Sequence, residues 1–116
     1  MLLSKIKEIL NAEVIYGKDM LNINIRYGCG ADLMSDVLAF IKEEALLLTG
    51  LTNSQLIKTA EIVDIKAICL VRGKNPDNDC IELAKNKKIP LLKTKLPMYE
   101  ACGRLYKEGL SGCSEA

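Results

Sequence analysis

Apolar residues recur along this chain at two spacings, and each spacing predicts its own element. Ile6, Ile9 and Leu10 alternate with Lys5, Lys7 and Glu8, the pattern of a short amphipathic helix over residues 4–10. A short strand over 12–16 follows and is stopped by Gly17. In 21–25, Leu21, Ile23 and Ile25 alternate with Asn22 and Asn24, which predicts a half-buried strand with one polar face. The run Tyr27-Gly28-Cys29-Gly30-Ala31 then reads as a loop, because two glycines permit unusual backbone angles or a close approach. Asp32 is placed to cap a helix with Leu33, Val37 and Leu38 on one face and Ser35 and Asp36 on the other.

From residue 45 onward the order becomes regular. The apolar strand 45–49 leads through Thr52-Asn53-Ser54 into a helix that buries Leu56, Ile57, Ala60 and Val63. The strand 67–71 turns at Arg72-Gly73 into a helix with Pro76 in its first turn, Asn75 as cap and Ile81, Leu83 and Ala84 inward. The strand 89–92 carries Pro90 near its start, and Pro97 opens a last helix bearing Ala101, Leu105 and Tyr106 that stops at Gly109. Three apolar runs, each followed by a helix, imply a mostly parallel sheet with right-handed crossovers, hence an α/β fold. Residues 1–110 form one domain, and 111–116, with nothing to bury, are expected to be a disordered tail.

Composition narrows the classes. With 116 residues there is room for one domain, and an apolar share of 49% with only 4% aromatic makes the core aliphatic. Sixteen basic residues against fifteen acidic give a net charge of +1, which offers no electrostatic footprint for nucleic acid or an acidic membrane. The interrupted N-terminus is not a secretory leader and no run reaches a membrane span, so the chain is expected to be cytoplasmic. Five cysteines lack CxxC spacing and there is no histidine, so neither a metal site, a cofactor nor a histidine-based catalytic set is expected. Cys29, between glycines, is the one thiol expected in an exposed loop, and packing is its ordinary use. Lys85 to Lys95 reads as a solvated basic edge.

In a parallel α/β sheet, ligands bind beyond the carboxyl ends of the strands. Those ends supply a candidate rim of Gly28, Gly30, Asp32, Ser35, Asp36, Thr49, Gly50, Thr52, Asn53, Arg72, Gly73 and Thr94. Free N–H groups of helix starts face the same edge and suit a nucleotide or another phosphorylated ligand. The same glycines, threonines and caps also serve as plain turn chemistry, and none completes a dinucleotide fingerprint or a phosphate loop. Asp32 and Asp36, four apart, are the only carboxylate pair suited to acid–base work or to Mg²⁺.

The segment AICLVRGKNPDNDCIELAKNKKIPLLKT resembles the end of the DRTGG domain and the matching part of the N-terminal domain of HPr kinase/phosphorylase. The earlier GADLMSDVLA is similar to another segment of that family, through Asp32, Leu33, Ser35, Asp36, Val37 and Leu38. At the name-giving motif the chain has Asn22-Ile23 and Arg26-Tyr27-Gly28, and only Gly28 matches. The resemblance implies a three-layer α/β/α fold of the kind shared by HPr kinase and Mur ligase N-terminal domains. It further implies a stand-alone, non-catalytic regulatory or protein-interaction domain; 49% apolar residues in so small a domain leave surplus apolar surface, so a homodimer, or another protein partner, is expected. The alternative is a sensor of a nucleotide or phosphorylated metabolite, with a phosphotransfer enzyme ranked last. The kinase half of HPr kinase has no counterpart here.

Overall fold

A computed structural model describes residues 1–115. The chain begins with helix α1 (Leu3–Leu10) and strand β1 (Glu13–Tyr16), then β2 (Tyr27–Gly30) and α2 (Met34–Phe40). Three strand–helix pairs follow: β3 (Ala45–Thr49) with α3 (Ser54–Ile62), β4 (Ala67–Leu70) with α4 (Asn78–Lys87), and β5 (Leu91–Lys93) with α5 (Met98–Lys107). A short β6 (Ser111–Gly112) ends the sheet, whose order is β1-β5-β4-β3-β2-β6. All neighbours are parallel except β1, which runs antiparallel to β5.

Strand alternation sorts the core into two layers. Leu46, Leu48, Ala67, Cys69, Val71 and Leu92 face α1 and α5, where Leu3, Ile6, Leu10, Ala101 and Leu105 meet them. Leu47, Ile68, Leu70 and Leu91 face the other way, toward Val37, Leu56, Ile57, Ala60, Cys80 and Ala84. The fold is therefore the expected three-layer α/β/α sandwich around a mostly parallel sheet. Every residue of β3 and β4 is buried, which is why those strands read as unbroken apolar runs.

Four local expectations are corrected. The alternating segment 21–25 is not a strand: its carbonyls cap α1, with Leu3 N–H donating to Ile23 O at 3.0 Å and Ser4 N–H to Leu21 O at 2.9 Å. Helix α1 has no side-chain cap, so this segment satisfies N–H groups the helix cannot satisfy itself. The strand lies instead in the glycine stretch, where α5 crosses closely above it. Asn75 does not cap α4; that position is Asp77, while Asn75 Oδ1 accepts from Lys93 Nζ at 2.6 Å. On α2 only Val37 is fully buried, and Leu33 and Leu38 lie in solvent rather than on its inner face. Likewise Tyr106 is exposed on α5.

The end of the chain also differs from a structureless tail. Ser111 and Gly112 pair with Tyr27 and Gly28, and a single 3₁₀ turn covers Cys113–Glu115. Leu110, buried in the α1/α5 layer, brings the chain back to the sheet edge. The last position of the expected tail, residue 116, lies outside the described residues.

Candidate functional site: the carboxyl edge of the sheet

Strands β2 to β5 are parallel, so their carboxyl ends open on one edge. There the chain assembles a cluster from three separate connections. Asp32 follows β2, Thr49-Gly50 ends β3 and Arg72 follows β4. Asp32 Oδ1 accepts from Gly50 N–H at 2.7 Å and from Thr49 Oγ1 at 3.2 Å; Asp32 Oδ2 takes Arg72 Nη2 at 3.1 Å. The Thr49 hydroxyl in turn accepts from Leu51 N–H at 3.2 Å. The Gly50 N–H bond, helped by the Arg72 and Thr49 bonds, holds the Asp32 carboxyl below its ordinary range against the opposing cost of burial.

Asp32 thus does not cap α2, whose N-cap is Leu33 without a side-chain bond. Its carboxylate closes the edge by linking three loops. A Cβ at Gly50 would lie 2.5 Å from Arg72 Nη2, so the end of the arginine would have to shift to admit one. Arg72 and Gly73 both have left-handed backbones, φ 59° and 65°, and their N–H groups donate to Leu96 O and Thr94 O at 2.8 Å. Arg72 is thereby aimed across β3 at Asp32.

The other expected rim residues divide. Asn53 caps α3, accepting from Gln55 N–H at 3.1 Å, and the Thr52 carbonyl accepts from Asp77 N–H at 2.9 Å. Ser35 and Asp36 point into solvent from the first turn of α2, so Asp32 and Asp36 do not form a working pair on one helix. Thr94 is buried; its hydroxyl donates to Leu10 O at 2.7 Å and accepts from Leu96 N–H at 3.2 Å. Gly28 and Gly30 face α5: a Cβ on Gly30 would sit 2.7 Å from Cys102 Sγ, and one on Gly28 would sit 3.0 Å from Leu110 Cδ2. These two glycines let the helix settle on the strand, and they line an apolar groove of about 380 Å³ with Tyr99, Cys102 and Tyr106. Cys29 is half-buried on β2, and burial, then the nearby Cys113 and Cys102, push its thiol up to about 11.

A second hollow, about 470 Å³, opens on the α1/α5 side of the same edge. Gly73 and Thr94 belong to it, with Lys95 following Thr94 at the same strand end, but the rest of its polar wall was not in the expected rim: Asn11, Glu13, Lys93 and Arg104. Lys95 reads in sequence as part of a solvated edge, and Arg104 as the outer neighbour of the buried Leu105. The signal that could have found them is the strand end at Thr94 followed by a helix that turns its cations back over it. Among the described residues, no group of three or more His, Cys, Asp or Glu is placed to hold a metal ion, and no helix is long and apolar enough to cross a membrane.

Comparison with known proteins agrees with this architecture. No curated protein matches the chain. Among solved structures it is similar to the CBS and DRTGG domains of the regulatory region of Clostridium perfringens pyrophosphatase, complexed with the activator diadenosine tetraphosphate. The TM-score is 0.69 at 19% identity, over 90% of this chain and 45% of that one. The chain therefore shares that fold while spanning less than half of the solved chain. The DRTGG domain model matches residues 5–107, nearly the whole length. The protein belongs to the DRTGG domain family.

Proposed function

We propose that the chain is a non-catalytic regulatory module that works by pairing with a second copy of itself. The observation that carries this reading is α2. That helix buries Val37 fully and packs Met34 partly against the core, and it leaves Leu38 at 49% and Phe40 at 70% exposure, with Leu33 at its entry at 60%. Ile62, at the end of the neighbouring α3, is 70% exposed as well. Leu38 and Phe40, two apart, flank the solvent side of α2 rather than forming one stripe, and large apolar side chains left exposed on two adjoining helices are the mark of a surface that another protein covers. A two-fold pair covers the same face on both copies with no further component. The rim chemistry suits the same reading, since the Asp32 carboxylate and the Arg72 guanidinium neutralise each other and tie loops together.

Sedimentation equilibrium tests it. The wild-type chain is expected to dimerise at roughly tens of micromolar, as a modest interface should, while Phe40→Asp stays monomeric. A wild-type chain that remains at 12.8 kDa throughout would refute the pairing.

A second reading, a sensor of a nucleotide or phosphorylated metabolite at the carboxyl edge, is favoured by the hollow lined by Lys93, Lys95 and Arg104. It draws further support from the activator-bound regulatory region of the pyrophosphatase. A thermal-shift panel of nucleotides and sugar phosphates addresses it, because a ligand at 100 times its Kd adds about 2.7 kcal/mol. A flat response across the panel would count against it.

A further inference from the structure

The hollow beside α1 and α5 has an uneven charge. Three cations, Lys93, Lys95 and Arg104, line it against one carboxylate, Glu13. Lys93 is already engaged, with Glu13 Oε1 at 3.5 Å and Asn75 Oδ1 at 2.6 Å. Among the described residues, the side chains of Lys95 and Arg104 have neither an ion pair nor a hydrogen bond. The Asp32 cluster differs, because its one cation, Arg72, is already held by the carboxylate. The edge thus has a closed half and a half with two free cations.

The rest of the wall says what kind of anion fits. An arginine fork and an ammonium suit phosphate oxygens. The Leu10 carbonyl, at the end of α1, would repel an anion, but the Thr94 hydroxyl already bonds to it. Asn11 and Glu13 add an amide and a carboxylate, which recognise hydroxyl groups. Among the described residues no aromatic ring lines the hollow, so a base has nothing there to stack on. Its volume of about 470 Å³ lies in the range of small-ligand sites.

We infer that this hollow is a binding site for a phosphorylated, hydroxyl-rich metabolite of the sugar phosphate class, with Lys95 and Arg104 on the phosphate and Asn11 and Glu13 on the hydroxyls. The inference rests on the sensor reading above, and it moves the site away from the Asp32–Arg72 cluster.

The test is an amide-shift titration of the whole chain with glucose 6-phosphate, inorganic phosphate and adenosine monophosphate. Lys95→Ala, Arg104→Ala and Arg72→Ala are titrated alongside, each first shown to keep the wild-type spectrum. The expected result is saturable shifts at Asn11, Gly73 and Lys95, tightest with glucose 6-phosphate. Affinity should fall by about tenfold or more in Lys95→Ala and in Arg104→Ala, the scale of a lost charge-assisted bond, and hold in Arg72→Ala. Binding lost only in Arg72→Ala would overturn the assignment and leave the sensor reading standing at the other half of the edge. Tighter binding of adenosine monophosphate than of glucose 6-phosphate would overturn the ligand class. No binding of any of the three overturns the inference, and a positive thermal-shift panel in that case would still preserve the sensor reading.

Discussion

At Gly30 the α5 residues Cys102 and Met98 lie close over the sheet, and the pair Gly30 and Cys102 gives the sharpest test at the scale of single residues. A Cβ at Gly30 would lie 2.7 Å from Cys102 Sγ and 3.0 Å from Met98 Sδ. Gly30→Ala is expected to lower stability by about 1–3 kcal/mol, the usual cost of overpacking. Cys102→Ala removes the clashing sulfur, so the double variant should recover part of that loss in urea unfolding; strictly additive losses would argue against the contact. Asp32→Ala removes the acceptor of three bonds and should cost about 1–2 kcal/mol, discounted for its exposure. The pH dependence follows from the sign of the shift. The folded carboxyl titrates below its ordinary 3.8, so its contribution is complete above that value and is lost as pH falls through the lower folded one. Acid unfolding of wild type and Asp32→Asn should therefore converge at low pH, and a constant gap down to pH 2 would contradict this. Cys29 is held at about 11 against an ordinary 9.0, so at pH 8 it carries roughly a hundredfold less thiolate. Alkylation of the native protein should label Cys29 far more slowly than in an unfolded control, though ahead of the fully buried Cys69 and Cys80; labelling at the unfolded rate would show that β2 does not shield it.

At the scale of elements, the legible parts of the sequence were those whose pattern serves the fold alone. Strands 45–49 and 67–71 are apolar throughout because both of their faces are covered, and the structure keeps them to within a residue. Asn53 caps α3 as its position implies, because that bond is local. The failures are all long-range. The alternation of 21–25 is real in burial, with Ile25 inside and Asn22 and Asn24 out, yet the segment serves as the cap of α1. Nothing within those five residues reveals a partner nearly twenty positions earlier. Gly28 and Gly30 read as a loop because a helix some seventy residues later is what makes glycine useful in a strand there. Asp32 reads as a cap, but its partners come from two later connections. The candidate site was legible as an edge, through Thr49, Gly50, Arg72 and Thr94, and illegible as two halves. Which cation is free depends on whether Asp32 reaches Arg72. Helix α2 is the element where fold and function part: Leu38→Asp is expected to change stability by no more than about 0.5 kcal/mol as an exposed substitution, while abolishing association. A large loss of stability would place Leu38 in the core of the monomer instead.

For the whole molecule, a chain of 116 residues builds two core layers, and apart from Leu2 before α1 the large apolar side chains left exposed lie on or beside α2, α3 and α5. The α5 side already has a use, since Tyr99 and Tyr106 border the groove over β2. The α2 side has none within one chain. The hollow of Lys95 and Arg104 lies on the α1/α5 side of the sheet and α2 on the other, so a ligand in the one and a partner on the other could be held at once. Pairing through α2 is tested by a dilution series followed by amide shifts. As the chain is diluted from hundreds to a few micromolar, about the range of a modest interface, resonances of Leu33 to Phe40 and of Ile62 should move together while rotational correlation time falls by about half, as a dimer separating into monomers requires. Shifts confined to Tyr99, Tyr106 and the β2 edge, or a spectrum and correlation time unchanged on dilution, would contradict it.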